Sequence, residues 1–154
     1  RADAPFDEIF DDTVAKMVAG GVLGEQGDKL VVGPGRLGWT GEQWLFTYAA
    51  VLKNFVEAYR ITARSLTSLA KSSLSEKDLV KKALATGNRM FFAGEVERRE
   101  AVSKPIIENA VAAFVDQGYL ARADGKLRLA ESFQNPEGPR VIEGRLTSYL
   151  EVKR

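Results

Sequence analysis

The chain has 154 residues, 45% hydrophobic and 28% charged, with a formal net charge of +1. Those proportions are ordinary for a soluble globular chain and imply no overall electrostatic pull toward nucleic acid or a membrane. It contains no cysteine and no histidine. Disulfides, thiolate nucleophiles and cysteine metal sites are therefore excluded, along with the commonest general base and metal ligand, and no cofactor or metal is expected. No apolar run approaches the ~18–20 residues of a membrane span, and no signal peptide is legible. The chain opens on Arg1 rather than Met, which reads as a piece of a longer protein.

Pro5 to Gly20 predicts an amphipathic helix with Phe6, Ile9, Phe10, Val14, Met17 and Val18 inward. Its first turns carry Asp7, Glu8, Asp11 and Asp12, which suits the positive end of a helix. Gly20-Gly21 ends it. Val22-Leu23 and Lys29–Val32 read as short strands around Gln26-Gly27-Asp28. Gly33-Pro34-Gly35 and Gly38 form a breaker-rich linker. Thr40 and Gln43 have the spacing of a capping box. A long helix follows, to Leu69 or somewhat short of it, since Ser65, Thr67 and Ser68 weaken its end. Trp44, Tyr48, Leu52, Phe55, Val56, Tyr59, Ala63, Leu66 and Leu69 lie on its apolar face.

Ser75 caps the next predicted helix, which passes Leu79, Val80, Ala83 and Leu84. Gly87 either ends it or only dents it, and Met90 to Ala93 continue the pattern. Glu95–Glu100 is a highly charged joint. Ser103 is an N-cap candidate and Pro105 fits a first helical turn. Ile107, Ala110, Val111, Phe114 and Val115 share one face of the helix that follows, and Gly118 stops it. Tyr119-Leu120 begin a strand. Asp124-Gly125 is a hairpin signal, and Leu127 and Leu129 bury one side of the return strand. Asn135–Pro139 is a loop, and Pro139 starts a last helix with Val141, Ile142, Leu146, Tyr149 and Leu150 inward.

An internal repeat is present. Thr13–Val32 lies without gaps over Ala110–Leu129, matching Val14 to Val111, Val18 to Val115, Gly21 to Gly118, Leu23 to Leu120 and Lys29-Leu30 to Lys126-Leu127. Each copy reads as helix, glycine stop, strand, turn, strand. The expected fold is mostly α (α+β): two winged-helix-like units with small β-hairpins, bridged by a long helix. The segments are 1–35 (helix plus hairpin), 36–71 (bridging helix), 72–132 (second unit) and 133–154 (last helix), together one C-terminal domain of a longer protein.

Chemistry is harder to find. The helix Lys104–Gln117 would enter a DNA groove, but its outward positions offer Lys104 against Glu108 and Asp116. Phosphate neutralisation and guanine readout both need more cations. Arg122, Lys126 and Arg128 make a modest basic patch interrupted by Asp124. Arg60 with Arg64, and Arg98-Arg99 with Lys104, are candidate anion or domain contacts. Glu57 near the first pair, and Glu95, Glu97 and Glu100 around the second, favour internally paired charge. Trp39, beside glycines, is a candidate contact to a neighbouring domain or a membrane interface. The run Gly33–Gly38 lacks the lysine of a phosphate-binding loop. Ser68 to Lys71 has a catalytic-looking spacing, but it falls on a helix end with no pocket implied. No catalytic residue is assigned.

Three further elements carry a family resemblance: the helix ending Gly21-Val22-Leu23, the run Glu57–Arg60 on the long helix, and Arg98–Ser103 leading to Asn109–Phe114 and Gly118–Leu120. Together they resemble the C-terminal region of bacterial glycerol-3-phosphate acyltransferases over most of Pro5 to Ala130. The family transfers a fatty acyl group from acyl-CoA or acyl-carrier protein to the first hydroxyl of glycerol 3-phosphate, in phospholipid synthesis. Its catalysis uses a His-x4-Asp motif in an upstream domain, which a chain without histidine cannot contain. The resemblance thus implies a non-catalytic accessory domain whose partner is the upstream catalytic domain of the same chain. It further implies a soluble segment on the cytoplasmic side, reaching the membrane surface through the parent enzyme. The alternatives are a winged-helix interaction module, protein-binding rather than DNA-binding, and a lysine- or carboxylate-based enzyme. The oligomeric state is left open.

Overall fold

A capping box sets the start of the longest helix. The Thr40 amide donates to Gln43 Oε1 at 2.8 Å and the Gln43 amide donates back to Thr40 Oγ1 at 3.2 Å, satisfying two donors that the helix itself leaves unpaired. The structure, a computed structural model, describes the backbone of residues 6–147 and the side chains of residues 10–147. In chain order it contains α1 (Phe6–Ala19), β1 (Leu23–Gln26), β2 (Lys29–Val32), α2 (Gly41–Ser65), a 3₁₀ turn (Leu66–Ala70), α3 (Glu76–Phe92), a 3₁₀ turn (Arg99–Ala101), α4 (Lys104–Asp116), β3 (Leu120–Ala123), β4 (Lys126–Leu129), a 3₁₀ turn (Glu131–Phe133) and α5 (Gly138–Thr147). The fold is mostly α with two antiparallel two-stranded hairpins, as expected. The chain divides into two compact units, Arg1–Val51 and Leu52–Arg154.

The repeat extends to the backbone hydrogen bonds. In the first copy Gly21 N donates to Val18 O, Val22 N to Met17 O and Gly33 N to Val22 O. In the second Gly118 N donates to Val115 O, Tyr119 N to Phe114 O and Ala130 N to Tyr119 O. Every one of these bonds is carried over by the offset that lays Thr13 on Ala110. Gly21 and Gly118 both sit at φ 71°, the left-handed conformation that ends a helix and favours glycine. The strand pairs Leu23↔Val32 and Leu120↔Leu129 also correspond. The turns differ. Asp124 and Gly125 both have positive φ, whereas of Gly27 and Asp28 only Gly27 does.

In the second unit a single apolar core joins Ile61 and Leu66 to Leu79, Ile107, Val111 and Phe114, closed by Leu120, Leu127, Leu129 and Ile142. Tyr59 meets the edge of Phe114 with ring centroids 5.8 Å apart, and Tyr119 continues the stack from Phe114 to Phe133. Gly87 lies inside a continuous α3 and does not end it. A methyl there would sit 3.1 Å from methyls of Ile61 and Val102, so close packing accounts for the glycine. Leu74 bridges Leu127 through two backbone bonds of 3.0 and 2.7 Å, tying the segment before α3 to β4. The charged joint is partly inward, with Val96 and Ala101 buried.

Several expectations need correction. α2 stops short of Leu69 at its serines and threonines, giving way to the 3₁₀ turn after Ser65. The hydroxyls of Ser65, Thr67 and Ser68 donate to the carbonyls of Thr62, Arg64 and Ser65, which competes with the helical ladder. Tyr48, Leu52 and Phe55 are exposed rather than buried, as are Phe10 and Val141. Trp44 is half-buried, and Val22 precedes β1 instead of belonging to it. Ser103 caps α4 by position only, without a side-chain bond. The Gly33–Gly38 stretch is held by backbone bonds, Gly35 to Gly21 and Arg36 reciprocally with Trp39. The helix start expected at Pro5 and the inward roles expected for Phe6, Ile9, Tyr149 and Leu150 lie outside the described residues or side chains.

Candidate functional site

Arg60 and Arg64 lie one turn apart on α2, so their guanidinium groups emerge on the same face. Two carboxylates meet them. Arg60 Nε donates to Glu143 Oε1 at 3.2 Å, and Arg60 Nη1 donates to the Glu95 carbonyl at 2.9 Å. Arg64 Nε donates to both Glu143 oxygens at 3.0 and 3.2 Å, and Arg64 Nη1 is bonded to Glu95 Oε2. The Glu143 bonds hold the Arg64 pKa above its ordinary value. The bond from Arg64 holds the Glu95 carboxyl below its own, with the charge of Arg60 adding to it. The four side chains compensate one another, and α2, α5 and the joint after α3 are clasped together.

Glu57 is not part of that pairing, although it is near in sequence. It is 3% exposed. Its Oε1 accepts the Glu97 amide and its Oε2 the Arg98 amide, both at 3.0 Å. A buried carboxylate survives folding only with such partners. Glu97 in turn bonds Lys53, which lowers its carboxyl pKa. The motif Glu57–Arg60 and the motif Arg98–Ser103, which stand out in the sequence, are thus two halves of one structural contact. The charged joint owes its conformation to α2.

The other candidate residues separate. Lys104 pairs with Glu108 on its own helix at 3.5 Å, both largely solvent-facing, a geometry worth little. The Arg99 guanidinium lies 5.6 Å from the Phe91 ring centroid. Arg98 contributes its amide to the Glu57 contact. Trp39 belongs to an aromatic ladder in the first unit: its ring is 5.2 Å from Trp44, which is 5.9 Å from Tyr48. Arg36 stacks on Trp44 at 5.2 Å, and Trp44 Nε1 donates to the Arg36 carbonyl. Trp39 itself is half-exposed.

The first unit differs from the second in what it buries. Among its described residues Val22 is the only large apolar side chain that is fully buried. Leu37 is 84% exposed, Phe46 62% and Val51 55%. Leu30 and Val32 are 48% and 56% exposed, while their counterparts Leu127 and Leu129 are each 1% exposed. Exposed large apolar side chains that gather on one face mark surfaces that meet a partner. Its hairpin part was not legible in the sequence because Leu30 and Val32 occupy the same positions as the buried Leu127 and Leu129.

No cluster of metal-ligating side chains occurs among the described residues, and none of their helices is long and apolar enough to cross a membrane. No curated protein and no solved structure matches the chain. A family model does: the C-terminal region of glycerol-3-phosphate acyltransferase matches residues 1–123. The match takes in α1 through the first hairpin, the Arg60–Arg64 helix, the charged joint and α4. The chain belongs to the glycerol-3-phosphate acyltransferase C-terminal region family.

Proposed function

We propose that this chain is the non-catalytic C-terminal support of a glycerol-3-phosphate acyltransferase, and that its first unit docks on the catalytic region of the same polypeptide. The reaction served is acyl transfer from acyl-CoA or acyl-carrier protein to glycerol 3-phosphate at the membrane, on its cytoplasmic side. The observation that carries the reading is the uncovered apolar surface of the first unit, around Leu30, Val32, Phe46 and Val51, in a chain whose family is a region of a larger enzyme. The absence of histidine from the chain agrees with catalysis by residues elsewhere.

The test is to express the coding sequence that precedes Arg1 as a separate polypeptide and combine it with this chain. The preceding polypeptide is expected to carry a His-x4-Asp motif and to bind this chain. The Phe46→Glu/Val51→Glu variant should bind at least about tenfold more weakly, since each exposed apolar anchor contributes on the order of 1–2 kcal/mol. Acyl transfer to glycerol 3-phosphate should require the preceding polypeptide. A preceding sequence without that motif, acyl transfer by this chain alone, or binding indifferent to the two glutamates would overturn the proposal.

A second reading, a winged-helix module that binds protein, is favoured by one observation. The Leu74–Leu127 bridge adds a third strand position beside the α4 hairpin. DNA binding is disfavoured, since the one lysine on α4, Lys104, is paired with Glu108. Random duplex DNA at low salt should show no salt-sensitive gel shift.

A further inference from the structure

Among the described residues, some lysines and arginines already hold a carboxylate. Lys16, Lys53, Arg60, Arg64, Lys104, Arg122 and Arg140 each pair with Asp or Glu. Lys71 and Arg128 are among the cations that do not, and they share one place. Neither makes an ion pair among the described residues, and both line one cleft of about 440 Å³ between the end of the 3₁₀ turn Leu66–Ala70, β4 and the loop before α5. The hydroxyls of Ser72 and Ser73 line the same cleft without a hydrogen-bond partner among the described residues. No carboxylate lines it.

The walls are fixed by the backbone. The two bonds between Leu74 and Leu127 hold the segment carrying Lys71, Ser72 and Ser73 against the strand carrying Arg128. On the far side Gln134 Nε2 donates to the Leu129 carbonyl at 2.9 Å, and the Glu137 and Gly138 amides bond back to Asn135. The buried side chains of Leu69 and Leu129 contribute an apolar floor. Two cations, two free hydroxyl donors and an apolar floor converge in a volume of the size that holds small ligands.

We propose that this cleft is a binding site for a phosphoryl anion, with Lys71 and Arg128 taking the charge and Ser72 and Ser73 donating to its oxygens. A phosphoryl group offers three acceptor oxygens and up to two negative charges. Arginine meets such a group with two parallel donors and lysine meets it as a point charge. The leucine floor suits a small organic substituent or the glycerol-proximal carbons of a lipid. The source is either a soluble phosphate or a phospholipid headgroup.

The experiment follows backbone amide resonances of the isotope-labelled chain during titration with inorganic phosphate. In parallel, the chain is sedimented with phosphatidylcholine vesicles with and without phosphatidic acid. The expected result is a saturable response confined to Ser72, Ser73, Arg128 and Gln134, or sedimentation that depends on phosphatidic acid. In Lys71→Gln/Arg128→Gln whichever response is seen should weaken on the order of tenfold or more, as loss of two charge-assisted contacts requires. Lys126→Gln, an exposed cation outside the cleft, should bind as the parent does. All three substituted positions are exposed, so the variants should melt with the parent chain. Saturation by inorganic phosphate assigns a soluble ligand. Sedimentation with phosphatidic acid alone, lost in the double variant, assigns a lipid headgroup. If neither probe responds, if the double variant binds like the parent, or if Lys126→Gln weakens binding equally, the proposal fails.

Discussion

Glu57 is a buried carboxylate that fixes the charged joint to α2. Its two oxygens are the acceptors for two consecutive amides of the charged joint. Glu57→Ala leaves both donors without their acceptor in a buried place and should cost about 2–4 kcal/mol of stability by denaturant titration. Glu57→Gln, which keeps one acceptor oxygen, should cost less. Glu95 has the opposite exposure and gives a pH signature. Its carboxyl is held below the ordinary 4.5 by Arg64. A depressed folded pKa contributes stability above 4.5 that is lost as pH falls through the folded value. The parent chain should therefore lose more melting temperature than Glu95→Gln between neutral pH and the acid side of 4.5, and equal losses would dissociate Glu95 from acid stability. The spacing of Arg60 and Arg64 was legible in the sequence. Their partner Glu143 was not, because it lies far along the chain on α5 and no periodicity links the two. Glu57 was legible as a nearby charge, and the structure shows that backbone amides rather than the arginines claim it.

At the scale of elements, period and punctuation go a long way. The hairpins, the Thr40 capping box and the glycine stops all follow from local rules. Gly21 and Gly118 have the same φ, so alanine at either should cost the ~1–2 kcal/mol of a left-handed non-glycine residue. Their surroundings differ. A methyl on Gly118 meets open space, while one on Gly21 would lie 2.8 Å from the Gly35 carbonyl oxygen. Gly21→Ala should therefore disturb its unit more than Gly118→Ala disturbs the other. Amide resonances of β1 and β2 against those of β3 and β4 would report this directly. The pattern gave an early end for α2 but not its exact last residue. Its serines and threonines turn their hydroxyls onto preceding carbonyls, and propensity alone sets no exact residue for that change.

For the molecule as a whole, the two units differ in how much core each possesses. The second has a continuous cluster from Ile61 to Ile142, while the described part of the first buries only Val22 among large apolar side chains. Local stability follows buried apolar contact. In the isolated chain, amides of the first hairpin should exchange with solvent at least about tenfold faster than those of the second. Equal protection would contradict the difference in burial. Binding of the preceding region should slow the first hairpin selectively. This division was not legible in the sequence because Leu30 and Val32 match Leu127 and Leu129, and burial depends on what else is present to pack. The cleft of Lys71 and Arg128 was likewise illegible, since the two residues are brought together by a strand bridge and not by spacing.

The Leu74–Leu127 bridge has a consequence for the history of the two copies. In the second copy the outward amide and carbonyl of Leu127 are occupied. The matching Leu30 pairs with Glu25 of β1, and among the described residues no second strand bridges its outer side as Leu74 bridges Leu127. One copy is thus closed to certain replacements and the other is permissive. Proline lacks the donor that Leu127 uses, so Leu127→Pro should abolish folding of the second unit, whereas Leu30→Pro removes a donor with no partner and should be tolerated far better. After a duplication, drift would be constrained at one rim and free at the other. The first copy could then change its outer strand to suit whatever it meets, while the second remained bound to its original sequence.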